Sequence, residues 1–177
     1  GSKVEKMCIY KTPGSPNIGI QKPQKEDPGV TKEEHTEYRS GVGMLLYLVK
    51  HSRPDIANAV RELSKVMDKP TPYAMKELMR VIKYLIDTKD YGLKMHPSKL
   101  TSDGLFQLML YSDSDWAGDK ETRTSVTGYS IFLQGCPISW KSKAQSSVTL
   151  SSSEAELMAL SEATKEIRFI YELLTSM

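Results

Sequence analysis

Apolar residues recur at helical spacing three times in the first half of the chain. Val42, Leu45, Leu46 and Val49 follow the i, i+3, i+4, i+7 rule and predict a helix over about 36–50. Gly41 and Gly43 lie inside it. Each weakens a helix by about 1 kcal/mol relative to Ala, unless it admits close approach of another backbone. Ile56, Val60, Leu63 and Met67 predict a second helix opening near Pro54, a favoured first-turn residue, with Pro70 just past its end. Met75, Leu78, Ile82 and Leu85 predict a third, opened by Thr71 as N-cap and Pro72 in the first turn and ended by Gly92. Three amphipathic helices joined by short turns make a small bundle.

After residue 92 the period shortens to two. Leu105 to Tyr111 reads as a strand, and Tyr129, Ile131 and Leu133 alternate within a second strand over 125–134. Gly135 marks a turn. Ile138 and Trp140 alternate in a third strand, which Val148 and Leu150 extend. A long helix follows, with Leu157, Leu160, Thr164, Ile167, Tyr171 and Leu174 as its stripe. Two overlapping patterns at its start, Ser151-x-x-Glu154 and Ser153-x-x-Glu156, both match a capping box. Residues 3–35 hold four prolines and no sustained period, the mark of a linker or a surface strap, and Gly1-Ser2 reads as a tag remnant. The expected division is therefore an extended segment over 1–35, a helical segment over 36–92 and a strand-and-helix domain over 93–177. The class is α+β or α/β.

At 39% hydrophobic and 26% charged the composition is globular rather than disordered. No apolar run approaches the roughly 20 residues a membrane helix needs, and no signal peptide is visible. Cys8 and Cys136 give neither a disulfide framework nor a zinc spacing, so an intracellular protein with reduced thiols and no membrane partner is expected. The net charge of +2 hides an asymmetry: +6 over residues 1–100 and −4 over 101–177. Solvated helix faces explain that split, and so does a phosphate-binding half beside a cation-binding half.

The acidic half holds the candidate chemistry. YSDSDWAGDK places Asp113, Asp115 and Asp119 at the end of the first strand, where a rigid element can hold a carboxylate for catalysis or metal binding. Glu154 and Glu156 open the long helix, as caps or as a second carboxylate. Two carboxylates alone are a weak metal signal, since magnesium takes few protein ligands and leans on substrate phosphates.

The stretches YSDSDWAGD and TRTSVTGYSIFLQGCPISWKSKAQSSVTLSSSEAELMALSEATKE resemble the start of an RNase H domain of copia-type LTR retrotransposons. Upstream, EYRSGVGMLLYLVKHSRPDIANAV and AMKELMRVIKYLIDTKDYGL resemble the thumb and connection of the same Pol polyprotein. The resemblance implies a truncated RNase H-like fold of three antiparallel strands and one long helix behind a thumb-like bundle. It implies Asp113 and Glu156 as catalytic metal ligands, with Asp115 and Asp119 as loop acids or supporting groups. The family uses four carboxylates and two magnesium ions. The later two acids lie beyond Met177, so magnesium binding that is weak or absent is expected, and ribonuclease H activity stands against a non-catalytic nucleic-acid- or protein-binding module.

The implied partner is an RNA–DNA hybrid, held weakly and in a salt-sensitive way. Ser152 and Ser153 map to the minor-groove position. Arg123, Lys141 and Lys143, with Lys50, Arg53, Lys76, Arg80 and Lys83 from the bundle, are candidate phosphate contacts. The resemblance also leaves the strand at 105–111 with an unpaired, uncharged edge. Residues 16–22 or 92–96 could cover it; the expected cover is a second copy of the chain, in a homodimer.

Overall fold

In a computed structural model the chain forms two compact units, Gly1–Gly92 and Leu93–Met177. The structure describes residues 10–15, 20, 29–97, 105–119 and 122–177; Cys8 and most of the segment at 16–22 lie outside them. The described elements are four α-helices and a three-stranded antiparallel sheet, so the class is mixed α+β.

The first unit is a bundle of α1 (Lys32–His51), α2 (Ala57–Ser64) and α3 (Pro72–Asp87), with a 3-10 turn over Pro54–Ile56. Helix α1 starts four residues earlier than its apolar period suggests. Thr31 and Glu34 form a complete capping box there: the Glu34 N–H donates to Thr31 Oγ1, and the Thr31 N–H donates to the Glu34 carboxylate. Tyr38, outside the expected stripe, is fully buried and donates its hydroxyl to the Leu63 carbonyl at 2.8 Å; burial drives its pKa well up. Leu46, inside that stripe, is exposed. Helix α2 stops at Ser64, leaving Met67 half-buried beyond it. Helix α3 opens as expected, Thr71 accepting from the Ala74 N–H, but ends at Asp87, where the Thr88 N–H and hydroxyl both go to the Tyr84 carbonyl, well before Gly92. Its buried row is Ala74, Leu78, Val81 and Tyr84, one position round from the expected stripe, with Met75, Ile82 and Leu85 flanking. Gly41 does admit a neighbour, but a side chain: a Cβ there would sit 3.0 Å from Leu78 Cδ2.

Three carboxylates of this bundle hold the preceding segment. The Tyr10 N–H donates to Asp87, the Ser15 N–H and hydroxyl to Glu77, and the Ile20 N–H to Glu62. Glu62 and Glu77 are buried, and Glu62 is neutralised by Arg61 and Lys65 at 2.8 and 2.9 Å. Ile20 sits in the bundle core, 4% exposed. The segment is thus anchored through its backbone amides as well as through one apolar side chain.

The second unit is a meander: β1 (Leu108–Asp115), β2 (Val126–Leu133), β3 (Cys136–Ala144), then α4 (Ser152–Ser176), with strand order β1-β2-β3. Strand β1 begins three residues later than its apolar run and continues through the acids. Asp113 pairs with Gly128 and Asp115 with Val126, so the ladder outlasts the hydrophobic stretch. Gln134 and Gly135 join β2 to β3 with φ of 51° and 78°, the geometry of a two-residue hairpin turn. Strand β3 stops at Ala144, and Val148 and Leu150 are exposed in the loop beyond it.

Helix α4 turns a different face to the sheet than its large apolar residues predict. Ala155, Ala159 and Ala163 are fully buried, continued by half-buried Ile167 and Ile170 against Tyr129, Ile131, Leu108 and Leu110. Leu157, Leu160 and Tyr171 face water. Three alanines let the helix axis approach the sheet closely, which bulkier side chains would prevent.

Candidate metal centre and nucleic-acid interface

Strand alternation sets the directions of groups along β1. The Gln134 N–H donates to the Gln107 carbonyl at 2.9 Å, so the odd-numbered residues address β2 with their backbone groups and the even-numbered ones point outward. Among those outward amides, the Ser114 N–H donates to Glu156 Oε1 at 3.2 Å. Glu156, just past the first turn of α4, is thereby carried to the peptide that follows Asp113. Side chains alternate too. Leu108 and Leu110 pack under α4, and Ser112 and Ser114 share that face. Asp113 projects with Tyr111 and Asp115 on the other face, all three exposed. Glu156 therefore meets the backbone at Ser114, while the Asp113 side chain projects from the other face of the strand.

The two capping-box patterns of α4 have different outcomes. Ser151 is the N-cap and accepts the Glu154 N–H, while Glu154 reaches back to the Leu150 N–H at 2.7 Å. Glu154 is a cap; Glu156 is not, and its carboxylate is free for the strand. Asp115 packs over Gly118, where a Cβ would collide with its carboxylate. Asp119 closes the next turn, accepting from the Thr122 N–H on its side chain and the Arg123 N–H on its carbonyl. Asp115 is the last residue of β1, and Asp119 lies in the turn that follows. Among the described residues no three His, Cys, Asp or Glu side chains gather where a metal ion could be held. A magnesium ion at Asp113 and Glu156 would have few protein oxygens and would keep most of its water.

The candidate cations differ in availability. Arg53 is withdrawn from any phosphate. It is 6% exposed, makes four hydrogen bonds to Asp55 and Thr88, and packs on the Tyr84 and Tyr91 rings. Lys141 is paired with Glu162 at 2.9 Å, which raises the lysine and lowers the glutamate pKa. Lys143 and Lys50 are exposed on β3 and the last turn of α1. Arg123 is exposed with φ of 57°. Lys76, Arg80 and Lys83 share one groove of about 710 Å³ on α3, with Arg80 and Lys83 over the Tyr10 ring at 4.7 and 5.4 Å. Ser152 and Ser153 lie exposed in the first turn of α4, near Glu156 in sequence. Sequence reasoning missed Gln145, a buried amide between β2 and α4; a lone glutamine in a polar stretch gives no sequence signal of burial.

No family model and no solved structure matches the chain. Among curated proteins it is 40% identical over 149 residues to the retrovirus-related Pol polyprotein from transposon RE1 of Arabidopsis thaliana, covering 84% of this chain and 10% of that one. It is 36% identical over 176 residues to the corresponding polyprotein from transposon TNT 1-94 of Nicotiana tabacum, covering 94% and 13%. The chain belongs to the copia-type retrotransposon Pol polyprotein family. It also matches a much shorter protein, the secreted RxLR effector protein 161 of Plasmopara viticola, at 47% identity over 133 residues, 75% of this chain and 90% of that one. This Pol segment thus spans about a tenth of the polyproteins it resembles. Both the helical unit and the sheet unit fall within the similarity to the tobacco polyprotein.

Proposed function

We propose that residues 93–177 are the opening part of an RNase H-like domain and that the helical unit before them is a thumb- or connection-like segment of the reverse transcriptase. In this reading Asp113 and Glu156 hold a magnesium ion against an RNA–DNA hybrid. The hydrogen bond from the Ser114 N–H to Glu156 carries the reading, because it brings a helix carboxylate to the peptide that follows Asp113, the strand acid the family motif singles out. Such an ion supplies charge to the attacking and leaving oxygens of a phosphodiester. The second unit's own part is to hold the ion and to line the hybrid with Ser152, Ser153, Lys143 and Arg123; the α3 cations offer phosphate contacts on the first unit.

With no third acid gathered beside Asp113 and Glu156 among the described residues, the isolated chain binds hybrid and cleaves it slowly or not at all. Magnesium binds weakly, with a Kd of roughly a millimolar, as a site of few charged ligands requires. Calorimetry on the wild type and Glu156→Gln tests the ion; micromolar affinity lost in the variant would show a more complete site. A fluorescence titration with hybrid at two salt concentrations tests the partner: binding should weaken steeply with salt, and salt-indifferent or absent binding would refute a phosphate-driven contact. Ribonuclease H activity of this chain is the second reading, favoured by the same Glu156 placement. Magnesium-dependent release of RNA fragments that Asp113→Asn abolishes would establish it.

A further inference from the structure

Gln145 closes a ring of contacts that runs through the link between Ser114 and Glu156. It is 7% exposed, in the loop between β3 and α4. Its backbone N–H donates to the Ser125 carbonyl at 2.8 Å, which pins the loop to the start of β2. Its side-chain Nε2 donates twice: to Thr127 Oγ1 at 3.1 Å and to the Ala155 carbonyl at 2.9 Å. Thr127 is the ladder partner of Ser114, the residue after Asp113. Ala155 is the residue before Glu156. Ser114 N–H to Glu156 then completes the circuit. One amide therefore ties the helix peptide preceding one carboxylate to the strand opposite the other.

Nothing else in the local sequence obliges that arrangement. The Ala155 carbonyl lies in the first turn of α4, whose own cap, Ser151, satisfies a different group, the Glu154 N–H. A second polar link, Ser125 Oγ to Thr149 Oγ1 at 2.9 Å with the Ala117 N–H on Ser125 Oγ, secures the loop before α4 but touches neither carboxylate. Thr127 and Ala155 are both buried, at 1% and 0% exposure, so the bridge works away from water, where its hydrogen bonds are costly to leave unmade.

We propose that Gln145 is the positioning residue that holds Glu156 against the backbone of Ser114, and so sets its place beside Asp113. The role in cation binding rests on the reading of Asp113 and Glu156 as a metal pair. The bridge itself does not, and the two are separable by experiment. Amide hydrogen exchange on the full chain reports whether Glu156 still covers the Ser114 N–H, with Glu156→Ala as the uncovered reference. Titration with manganese(II), followed by relaxation of water protons, reports the ion.

Gln145→Leu keeps most of the buried volume and removes both side-chain hydrogen bonds. It should raise Ser114 exchange toward the Glu156→Ala rate while Met109 and Tyr111, bonded to β2, stay protected. It should also weaken manganese binding by about tenfold, as loss of a group supporting a metal ligand does. A general loss of fold would raise all three amides together. In that event Thr127→Val, which removes only the hydroxyl end of the bridge, gives the same selective change at Ser114 in smaller measure. Wild-type protection of Ser114 in folded Gln145→Leu, or in Thr127→Val if the first variant does not fold, overturns the proposal. Selective exposure of Ser114, in a chain whose wild type takes up no manganese, upholds the bridge and removes the metal reading instead.

Discussion

Gly41 and Gly43 stand two positions apart on α1 and meet different surroundings. A Cβ at Gly43 meets open space, so Gly43→Ala should stabilise the bundle by about 0.5–1 kcal/mol through helix propensity alone. At Gly41 the added methyl lies 3.0 Å from Leu78 Cδ2, and the same substitution should gain nothing or destabilise. Urea melts of the two variants separate the cases. Arg53 and Asp55 show the charged counterpart. Burial pushes the Asp55 carboxyl up, but hydrogen bonds from Arg53 and Tyr84 outweigh it and hold its pKa below the ordinary 3.8. A carboxyl with a lower pKa folded than unfolded adds stability above the unfolded value, and loses it as the pH falls from 3.8 through the folded value. Asp55→Asn should therefore flatten the acid limb of a stability-against-pH curve. Arg53→Ala should cost about 3–5 kcal/mol at neutral pH, the range for leaving one partner of a buried pair alone. The lower end applies, since the Asp55 side chain stays 35% exposed.

On the scale of elements, α4 carries apolar residues on two faces, and size decides which one packs. Ala159→Leu should cost about 1–3 kcal/mol by overpacking the helix against the sheet. Leu160→Ala, on the water-facing side, should stay within about 0.5 kcal/mol. Thermal melts check both. That choice of face was not legible in the sequence, because Leu157 and Leu160 dominate any apolar stripe while alanine signals little. The start of α3 was legible, since Thr71 and Pro72 act locally. The start of α1 was written in the Thr31–Glu34 box but obscured by the later apolar period. The apolar run of β1 ends at Tyr111, but the ladder with β2, a tertiary property, carries the strand on through Asp113 and Asp115. Asp113 and Glu156 were named from the motif. Which of Glu154 and Glu156 serves as cap took the geometry of the Leu150 and Ser114 amides to decide, and Gln145 took the fold.

For the whole molecule, the outward side of β1 matters most. Among the described residues no strand pairs there, and Leu108, Leu110 and Ser112 point their backbone groups outward beside an uncharged surface that includes exposed Phe106 and Tyr111. An edge of this kind favours a second strand, and a second copy would meet it with the same uncharged residues about a two-fold axis. Sedimentation should show a dimer above micromolar concentrations, and Tyr111→Lys, which sets like charges across that axis without touching the ladder, should give a monomer. A monomeric wild type would refute the pairing. The meander has a consequence in time as well. Each of β1, β2 and β3 pairs with its neighbour in sequence, and Gln134 and Gly135 close the β2–β3 hairpin with two residues. Hairpins of that size form in roughly 1–10 μs. Chain emerging at about 5–20 residues per second would therefore have its sheet assembled before the α4 carboxylate arrives, and the strand acid would wait, already placed, for its partner.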